Sequence, residues 1–365
     1  MAYKNLELEK TKQLCQKVFA SYGFLPEDCD RITDILLTAD LFGIESHGIQ
    51  RLIRYYNELS WNLVDANAKL EIVKETPVSA MIDAHGMMGQ VAAYHGMEMA
   101  IEKAKKSGVG LVVMRGSNHY GIAGYYSKMA CDADLIGLCM TNTSAIMVPT
   151  FGKRPMLGTN PIALAMPADP TPFLYDAATT VVARGKFEVY DKKGLPVPLG
   201  WSIDEEGVDC TDPGLVIKNL NEENNGGIMP LGGSGEEHAG YKGYGLGMIV
   251  EIFTSILSMG ETSDRIVTKG DNHSHISHCF GAIDYGMFGD KAAIKSYFSD
   301  YLNKVRQSPK AKGHDRIYIH GEKELETCAT RTQTGIPVNE KTFEEIKFVC
   351  RERGIDYRPY IGEDF

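Results

Sequence analysis

Apolar residues recur at helical spacing along much of the chain, and these stretches alternate with short apolar runs typical of buried strands. The pattern predicts helices over residues 6–22, 26–41, 49–59, 89–106, 122–132, 180–190, 248–257, 291–305 and 341–353. It predicts strands over residues 70–74, 79–83, 134–140, 173–176, 279–284 and 316–320, and in the apolar runs that follow Gly108 and end at Met166. This alternation favours an α/β fold with helices on both faces of a sheet.

One strand-to-helix junction, residues 108–126, contains a glycine-rich loop. His119 lies in that loop, between Gly116 and Gly121. Such a junction presents backbone N–H groups, and glycine allows a ligand to approach the backbone closely. An ordinary βα connection with a solvated histidine is the alternative.

A second candidate group lies near residue 50. Ser46 suits the N-cap of the helix predicted over residues 49–59, which places His47 in its first turn. His47, Arg51 and Tyr55 are spaced by four residues and would share one helix face. The alternative is a solvated, mildly basic face with Tyr55 half buried.

Residues 194–240 have little periodicity, so we expect a long loop region with at most one short helix. The region closes on a glycine run, residues 240–247, in which Lys242 precedes a strongly helical pattern. Glycines and a lysine at a helix start suit an anion such as phosphate or carboxylate, and close helix packing is the alternative. The G-x-G-x-x-G fingerprint, a Walker loop and the G-x-S-x-G elbow are all missing from the sequence.

Composition narrows the class of partner. The 365 residues carry a formal net charge of −10, and no basic stripe interleaves with aromatic residues, so no nucleic-acid partner is expected. Residues 1–20 lack the apolar run of a secretory signal, and no run is long enough for a membrane helix, so no membrane partner is expected. Eight cysteines without a C-x-x-C pair indicate free thiols in a reducing compartment, and we expect the cytoplasm.

His273, His275, His278 and Cys279 bring three imidazoles and a thiol together within seven positions. A closed zinc site normally draws a second pair of ligands from another element. The cluster follows a polar stretch, residues 269–272, so the simpler interpretation is a polar loop that enters the strand at Cys279. No metal is expected.

Five segments, taken together and in this order, resemble the malate/L-lactate dehydrogenase family, typified by sulfolactate, ureidoglycolate and diketogulonate dehydrogenases. They are Glu45-Ser-His-Gly-Ile-Gln-Arg-Leu52, Gly116-Ser-Asn-His-Tyr-Gly121, Gly158-Thr-Asn-Pro-Ile162, Val182-Ala-Arg-Gly-Lys186 and Gly240-Tyr-Lys-Gly-Tyr-Gly-Leu246. The resemblance spans almost the whole chain. It implies NAD(P)-dependent interconversion of a 2-hydroxy acid and a 2-keto acid by homodimers. It also implies a non-Rossmann, three-layer α/β/α fold with a mixed sheet, of the sulfolactate dehydrogenase type, which accounts for the missing fingerprint.

Carried over by position, the resemblance implies that His47 and His119 are catalytic. It implies a substrate side formed by Ser46, Arg51, Tyr55, Ser144 and Thr159, and a cofactor side formed by Thr143, Asp176, Ala177, Ala178, Thr179, Lys186, Tyr241, Lys242, Gly321 and Glu322. Residues 1–75 with 290–365 would form a helical substrate-side and dimerisation region, and residues 76–289 the cofactor-binding region. The segment Tyr175–Thr180 has alanine where relatives often carry methionine, and residues 143–145 replace a more usual Ser-Ser-Pro.

The residue types suit this chemistry. Oxidation of a 2-hydroxy acid needs a base for the hydroxyl proton, which histidine can provide near neutral pH. It also needs a cation for the carboxylate, which Arg51 can grip in a bidentate way. We expect His47 and His119 to line one pocket, one transferring the proton and the other fixing the substrate oxygen, and the sequence leaves open which does which.

The substrate and the cofactor also stay open at this stage. Malate is the first choice, on the frequency of malate dehydrogenases in the family. Lactate, a sugar-derived diketo acid, ureidoglycolate and a cyclic imine acid are alternatives. NAD and NADP are both compatible with the sequence. A non-catalytic protein that binds a small molecule on the same fold is the alternative from a different class, and the retention of both histidines and Arg51 argues against it.

Overall fold

A mixed seven-stranded sheet runs through the middle of the molecule, whose computed structural model describes residues 3–266 and 275–365. The strands, in chain order, are β1 (Tyr3–Leu6), β2 (Glu71–Glu75), β3 (Ser79–Asp83), β4 (Val109–Ser117), β5 (Ile136–Thr141), β6 (Ile162–Met166), β7 (Phe173–Ala177), β8 (Ser202–Ile203), β9 (Gly227–Ile228), β10 (Ile276–Ile283) and β11 (Ile336–Asn339). The central sheet has the order β2-β3-β4-β10-β5-β6-β7. Strands β3 and β4 are parallel, and the other neighbours are antiparallel, which confirms the mixed sheet.

Helices cover both faces of this sheet. They are α1 (Leu8–Ala20), α2 (Pro26–Leu41), α3 (Leu52–Ser60), α4 (Gly89–Ser107), α5 (Ala123–Asp132), α6 (Arg184–Lys192), α7 (Pro213–Glu222), α8 (Gly240–Glu251), α9 (Lys291–Gln307), α10 (Glu322–Thr334), α11 (Glu340–Glu352) and α12 (Arg358–Ile361). None of the helices in the described residues has the length and apolar character needed to cross a membrane.

Alternating residues of the central strands pack on opposite layers. Val112 and Met114 of β4 lie in a core with α4 and α5, whereas Val113 lies with Val250 of α8 on the other face. Because successive side chains of a strand point to opposite faces, an apolar run of this kind must be covered on both sides. The predicted three-layer α/β/α arrangement is confirmed.

A separate core lies at the periphery of the sheet. It joins α1, α2 and α3 to α11 and to the ladder formed by β1 and β11, with Phe19, Tyr55 and Phe343 among its largest buried side chains. The pattern did not predict β1 or β11, because each has only four residues and pairs across almost the whole chain.

Much of the region predicted as a long loop folds, together with α6, into a small unit. It consists of α6, α7 and the two-residue strands β8 and β9, around a core that includes Phe187, Val216 and Ile228. One helix, α7, falls within residues 194–240, as predicted. Helix α6 begins at Arg184 rather than at Thr180, since Thr180 instead forms a bridge with Pro230.

Two further predictions of secondary structure are wrong. Residues 316–320 form no strand; the backbone N–H of Leu174 donates to the carbonyl of His320, and the chain then turns at Gly321, whose φ is +98°. The helix α10 that follows was not predicted, because its sequence is mostly polar and only one of its residues, Glu322, is buried. The helix predicted from residue 248 already begins at Gly240.

The predicted boundary at residue 75 falls between β2 and β3, which pair in the same sheet. The two predicted regions therefore meet within one sheet, since β2 belongs to the first region and β3 to the second. The functional division between a substrate-side and a cofactor-side region stays a prediction.

Candidate active site

The loop between β4 and α5 carries His119, and α3 carries the group that holds it. The hydroxyl of Tyr55 lies 2.9 Å from Nδ1 of His119, and Tyr55 itself is 1% exposed. This contact joins two segments 64 residues apart, so the two histidine motifs predicted from the sequence form one site. With Nδ1 engaged, Nε2 is the nitrogen of His119 left for a ligand.

His47 lies on a turn that packs directly against His119. The two imidazole rings are stacked, with centroids 5.7 Å apart, and the hydroxyl of Ser46 lies 2.8 Å from Nδ1 of His47. Nε of Arg51 donates to the carbonyl oxygen of Ser46 at 2.5 Å. Tyr55 and His47 therefore contact His119 directly, Ser46 contacts His47, and Arg51 contacts Ser46.

The local structure that brings them together differs from the prediction. Ser46 is not the N-cap of the helix, because Glu45–His47 and Ile49–Arg51 form two 3₁₀ turns and α3 begins at Leu52. The hydroxyl of Ser46 is used by His47 rather than by the helix N-terminus.

Asp40, at the end of α2, causes this difference. Its carboxylate accepts the backbone N–H of Ile49 at 2.6 Å, and a Cβ added to Gly48 would lie 2.0 Å from Oδ1 of Asp40. Arg331 of α10 donates to the carbonyl of Asp40 and to Glu45. Sequence reasoning missed these positioning residues, since only the fold brings Asp40 and Arg331 beside the turn.

Burial and positive charge keep both imidazoles neutral. Burial, followed by Arg51 and Arg54, lowers the pKa of His47 to about 4. Burial lowers the pKa of His119 well below its ordinary value, with Arg54 as the next cause. A neutral imidazole can accept a proton from a hydroxyl group, so the pair suits the oxidation of an alcohol.

Arg54 is a member of the site that sequence reasoning missed, although its spacing from Arg51 and Glu58 on α3 could have identified it. Its Nε donates to Oε1 of Glu58 at 2.6 Å. Glu58 is 5% exposed, and its second oxygen, Oε2, is buried without a hydrogen-bond partner. The site thus contains two arginines and one nearby carboxylate.

Predicted residues from three other segments meet next to β5 and β6. The backbone N–H of Thr159 donates to Oγ1 of Thr143 at 3.0 Å, and Oγ1 of Thr179 donates to the carbonyl of Thr159 at 3.2 Å. Ser144 follows Thr143 and is partly buried. Ser144, Thr143, Thr159 and Thr179 therefore form a single polar cluster at the strand ends.

Asn160, which the sequence reasoning did not single out, ties this cluster to α8. Its side-chain amide donates to the carbonyl of Gly247 at 3.1 Å and to Oε1 of Glu251 at 2.9 Å. Glu251 is 6% exposed and also accepts from Ser255 and Ser263. This buried network fixes the position of α8 relative to β6.

Most of the remaining predicted cofactor residues lie on or next to β7, α6 and α8. The carboxylate of Asp176, beside Ala177 and Ala178, accepts the backbone N–H of Gly124 at 2.6 Å, near the start of α5. Tyr241 and Lys242 are exposed in the first turn of α8, and Lys186 is exposed on α6.

Glu322 is already engaged by protein groups. Its carboxylate accepts from Arg306 at 2.6 Å, from Arg316 at 3.1 Å and from the backbone N–H of Ile319 at 3.1 Å. Gly321 packs against Leu174, where an added Cβ would come within 2.8 Å of that side chain. Both residues fix the turn before α10, and a contact with the cofactor stays a prediction.

Two glycines of the run in α8 serve close packing. A Cβ at Gly240 would lie 2.0 Å from the carbonyl of Gly233, and one at Gly243 would lie 2.3 Å from the carbonyl of Leu231. Close helix packing, the alternative interpretation, therefore accounts for Gly240 and Gly243 but not for Gly245, whose added Cβ would have nothing within 4 Å. Lys242 remains an exposed cation at the helix start, a position that suits an anion.

His278 is buried in β10 rather than placed in a loop. Its Nδ1 lies 2.8 Å from Oγ1 of Thr141, and its Nε2 lies 2.9 Å from Oγ of Ser117, so it connects the ends of β4 and β5. Burial lowers its pKa to about 3. The described residues contain no group of three or more His, Cys, Asp or Glu able to hold a metal. His273 and the polar stretch 269–272 lie outside the described residues.

Comparisons with known proteins agree with this geometry. A family model described as malate/L-lactate dehydrogenase matches residues 6–347. The malate dehydrogenase of Pyrococcus abyssi is 42% identical over 340 residues, which cover 93% of this chain and 92% of that protein. The L-sulfolactate dehydrogenase of Methanocaldococcus jannaschii is 35% identical over 365 residues, covering 98% and 99%. The crystal structure of malate dehydrogenase from Entamoeba histolytica superposes with a TM-score of 0.92 at 35% identity and covers 97% of this chain and 99% of that one.

Proposed function

Because the chain belongs to the malate/L-lactate dehydrogenase family and is an oxidoreductase that interconverts a 2-hydroxy acid and a 2-keto acid, we propose that malate and oxaloacetate are its substrate pair. The observation that carries the proposal is the stacked pair of His47 and His119 with Arg51 beside it. Lactate and pyruvate are the second candidate pair, and the presence of two arginines in the site favours the dicarboxylate.

The roles of the site residues follow from their free groups. Arg51 uses Nε for the carbonyl of Ser46, which leaves its terminal nitrogens for the C1 carboxylate of the substrate. The imidazoles act on the oxygen at C2: one accepts its proton and the other donates a hydrogen bond. Ser46 and Tyr55 act as positioning residues, because each holds Nδ1 of one histidine.

A nicotinamide dinucleotide, when bound, would supply the acceptor for the hydride from C2. The donor groups present fit such a molecule. The first-turn amides of α8 together with Lys242 would hold its phosphates, and the cluster of Thr143, Thr159 and Thr179 would line the nicotinamide side. Asp176, near the end of β7 and bonded to the N–H of Gly124, would contact its polar groups. We propose the same region for NAD and NADP.

A substrate panel tests the proposal. The oxidation of NADH and of NADPH is followed with oxaloacetate, pyruvate, a diketo sugar acid and a cyclic imine acid. We expect kcat/KM to be highest with oxaloacetate. A higher value for any other acid would contradict malate as the substrate, and the two cofactors compared on one substrate decide between NAD and NADP.

The roles of the histidines are tested by replacing each with asparagine, which keeps a hydrogen-bonding group but cannot accept a proton. We expect turnover to fall about 100- to 10,000-fold for the histidine that transfers the proton and less for the other. If either variant keeps near-normal turnover with an unchanged pH profile, the role proposed for that histidine is wrong.

We also propose a homodimer and a cytoplasmic location. Exposed apolar side chains on α8 and on the π-helical turn that continues it, among them Met248, Ile252 and Ile256, form a surface typical of a subunit interface. The cysteines are all free thiols, and seven of the eight are buried, which suits a reducing compartment.

A further inference from the structure

Arg54 lies on α3, three residues after Arg51 and next to Tyr55. Its side chain is one-third exposed, and it meets Glu58 through Nε alone, at 2.6 Å. Within residues 3–266 and 275–365, neither of its terminal nitrogens has a hydrogen-bond acceptor. The ion pair is therefore monodentate, and the two terminal nitrogens of the guanidinium are free to bind a ligand.

Arg51 is arranged in the same way. Its Nε donates to the carbonyl of Ser46, and its terminal nitrogens likewise have no acceptor among the described side chains. Two guanidinium groups three residues apart thus present free edges, each anchored through Nε. Adjacent positions on one helix face place such groups side by side, and each free edge matches the two oxygens of a carboxylate.

The charges near the two arginines do not balance. Glu58 compensates one arginine, and Glu188 of α6, the other carboxylate that acts on Arg51, is itself paired with Arg184 at 3.4 Å. One positive charge therefore remains beside the histidines, and an oxidised nicotinamide would add a second. A substrate with two negative charges would neutralise both, whereas a monocarboxylate would leave one.

We infer that Arg54 binds a second anionic group of the substrate, at the end opposite the C1 carboxylate that Arg51 holds. The inference rests on the proposed function and narrows it: the enzyme takes 2-hydroxy acids that carry a distal carboxylate or sulfonate. Arg54 is then the residue that separates these acids from lactate-like substrates.

The test compares Arg54→Gln with Glu58→Gln and with the double variant, which avoids a buried, unpaired Glu58. Oxaloacetate carries a distal carboxylate, 3-sulfopyruvate a distal sulfonate, and 2-ketobutyrate neither. We expect Arg54→Gln to raise KM for oxaloacetate, 3-sulfopyruvate or both by about 10- to 100-fold, because a charge-assisted hydrogen bond to the substrate is lost. The KM for 2-ketobutyrate should change less than about threefold. Burial, the largest cause of the low pKa of both histidines, keeps them neutral at pH 8 without Arg54, so kcat measured at pH 8 should change little.

Glu58→Gln is the matched control, since it breaks the same ion pair but keeps the cation. It should retain the wild-type preference for oxaloacetate over 2-ketobutyrate, and the double variant should behave like Arg54→Gln. If the preference is lost equally in Glu58→Gln, or survives in Arg54→Gln and in the double variant, the inference is wrong while the proposed substrate stands. If the wild-type enzyme reduces none of the three acids, the proposed function fails and this inference fails with it.

Discussion

At the residue scale, the two histidines show what a single sequence can predict and what it cannot. The spacing of His47, Arg51 and Tyr55 predicted that they share one helix face, and the glycine loop identified His119 as a candidate. The contact between Tyr55 and His119 was not predictable, because it depends on how α3 packs beside the loop after β4. Arg54 was missed because a third charge on a short helix is more often solvated.

Tyr55→Phe tests whether Tyr55 positions His119. The substitution removes only the hydroxyl that lies 2.9 Å from Nδ1, so the imidazole loses its fixed orientation. We expect kcat to fall about 10- to 100-fold with little change in KM or in thermal stability. Tyr56→Phe is the matched control, because its hydroxyl contacts Glu352 at the surface and should be dispensable. Equal activities of the two variants would contradict the positioning role.

Asp40 predicts a pH dependence of stability. Burial raises the pKa of its carboxyl to about 8, so between about pH 4 and pH 8 the native state holds a proton that the unfolded chain has lost. Because the native state binds one more proton than the unfolded chain, the free energy of unfolding falls as pH rises through this window. Asp40 alone contributes a loss of about 1.4 kcal/mol per pH unit, and the loss levels off above pH 8.

Asp40→Asn removes that titration and keeps an oxygen for the N–H of Ile49. Urea unfolding at pH 6, 7 and 8 should therefore show a steeper loss of stability in the wild type than in the variant. Parallel pH dependences of the two proteins would show that Asp40 is ionised in the native state at pH 6.

At the element scale, the turn that carries His47 depends on glycine for space rather than for an unusual φ. The Cα of Gly48 passes over the carboxylate of Asp40, which replaces the expected helix cap with two 3₁₀ turns. Sequence reasoning placed candidate site residues in this segment but assigned the wrong local structure. The reason is that the side chain of Asp40, eight residues earlier, competes with Ser46 for the local N–H groups.

Gly48→Ala tests this packing. Its Cβ would lie 2.0 Å from Oδ1 of Asp40, so the turn must shift, and we expect a loss of about 1–3 kcal/mol in the free energy of unfolding together with a drop in turnover. Gly245→Ala in α8 is the control, because nothing lies within 4 Å of its added Cβ. It should be neutral or stabilising by up to about 1 kcal/mol. Equal unfolding curves for both variants would rule out the close approach.

At the scale of the whole molecule, the alternation of strands and helices was enough to predict an α/β fold. The strand order was not predictable from periodicity, because β10 inserts between β4 and β5 although more than a hundred residues separate it from either strand. That insertion also buries His278 between Ser117 and Thr141, which explains why the histidine cluster could not be interpreted from the sequence alone. The mixed sheet was predicted from the resemblance to a family, because local sequence patterns do not encode which strands pair.

The exposed apolar surface of α8 allows the proposed homodimer to be tested. Ile252 is 45% exposed on the π-helical turn after α8, among other exposed apolar side chains, and Ile72 is 48% exposed on the edge strand β2. A buried charge without a partner is costly, so Ile252→Glu should convert a dimer to monomers, seen as a halved mass in light scattering coupled to size exclusion. Ile72→Glu matches it in residue type and exposure and should leave the mass unchanged. If Ile72→Glu dissociates the protein instead, the subunits meet at the sheet edge; if the wild type is monomeric, the apolar surface of α8 has another use.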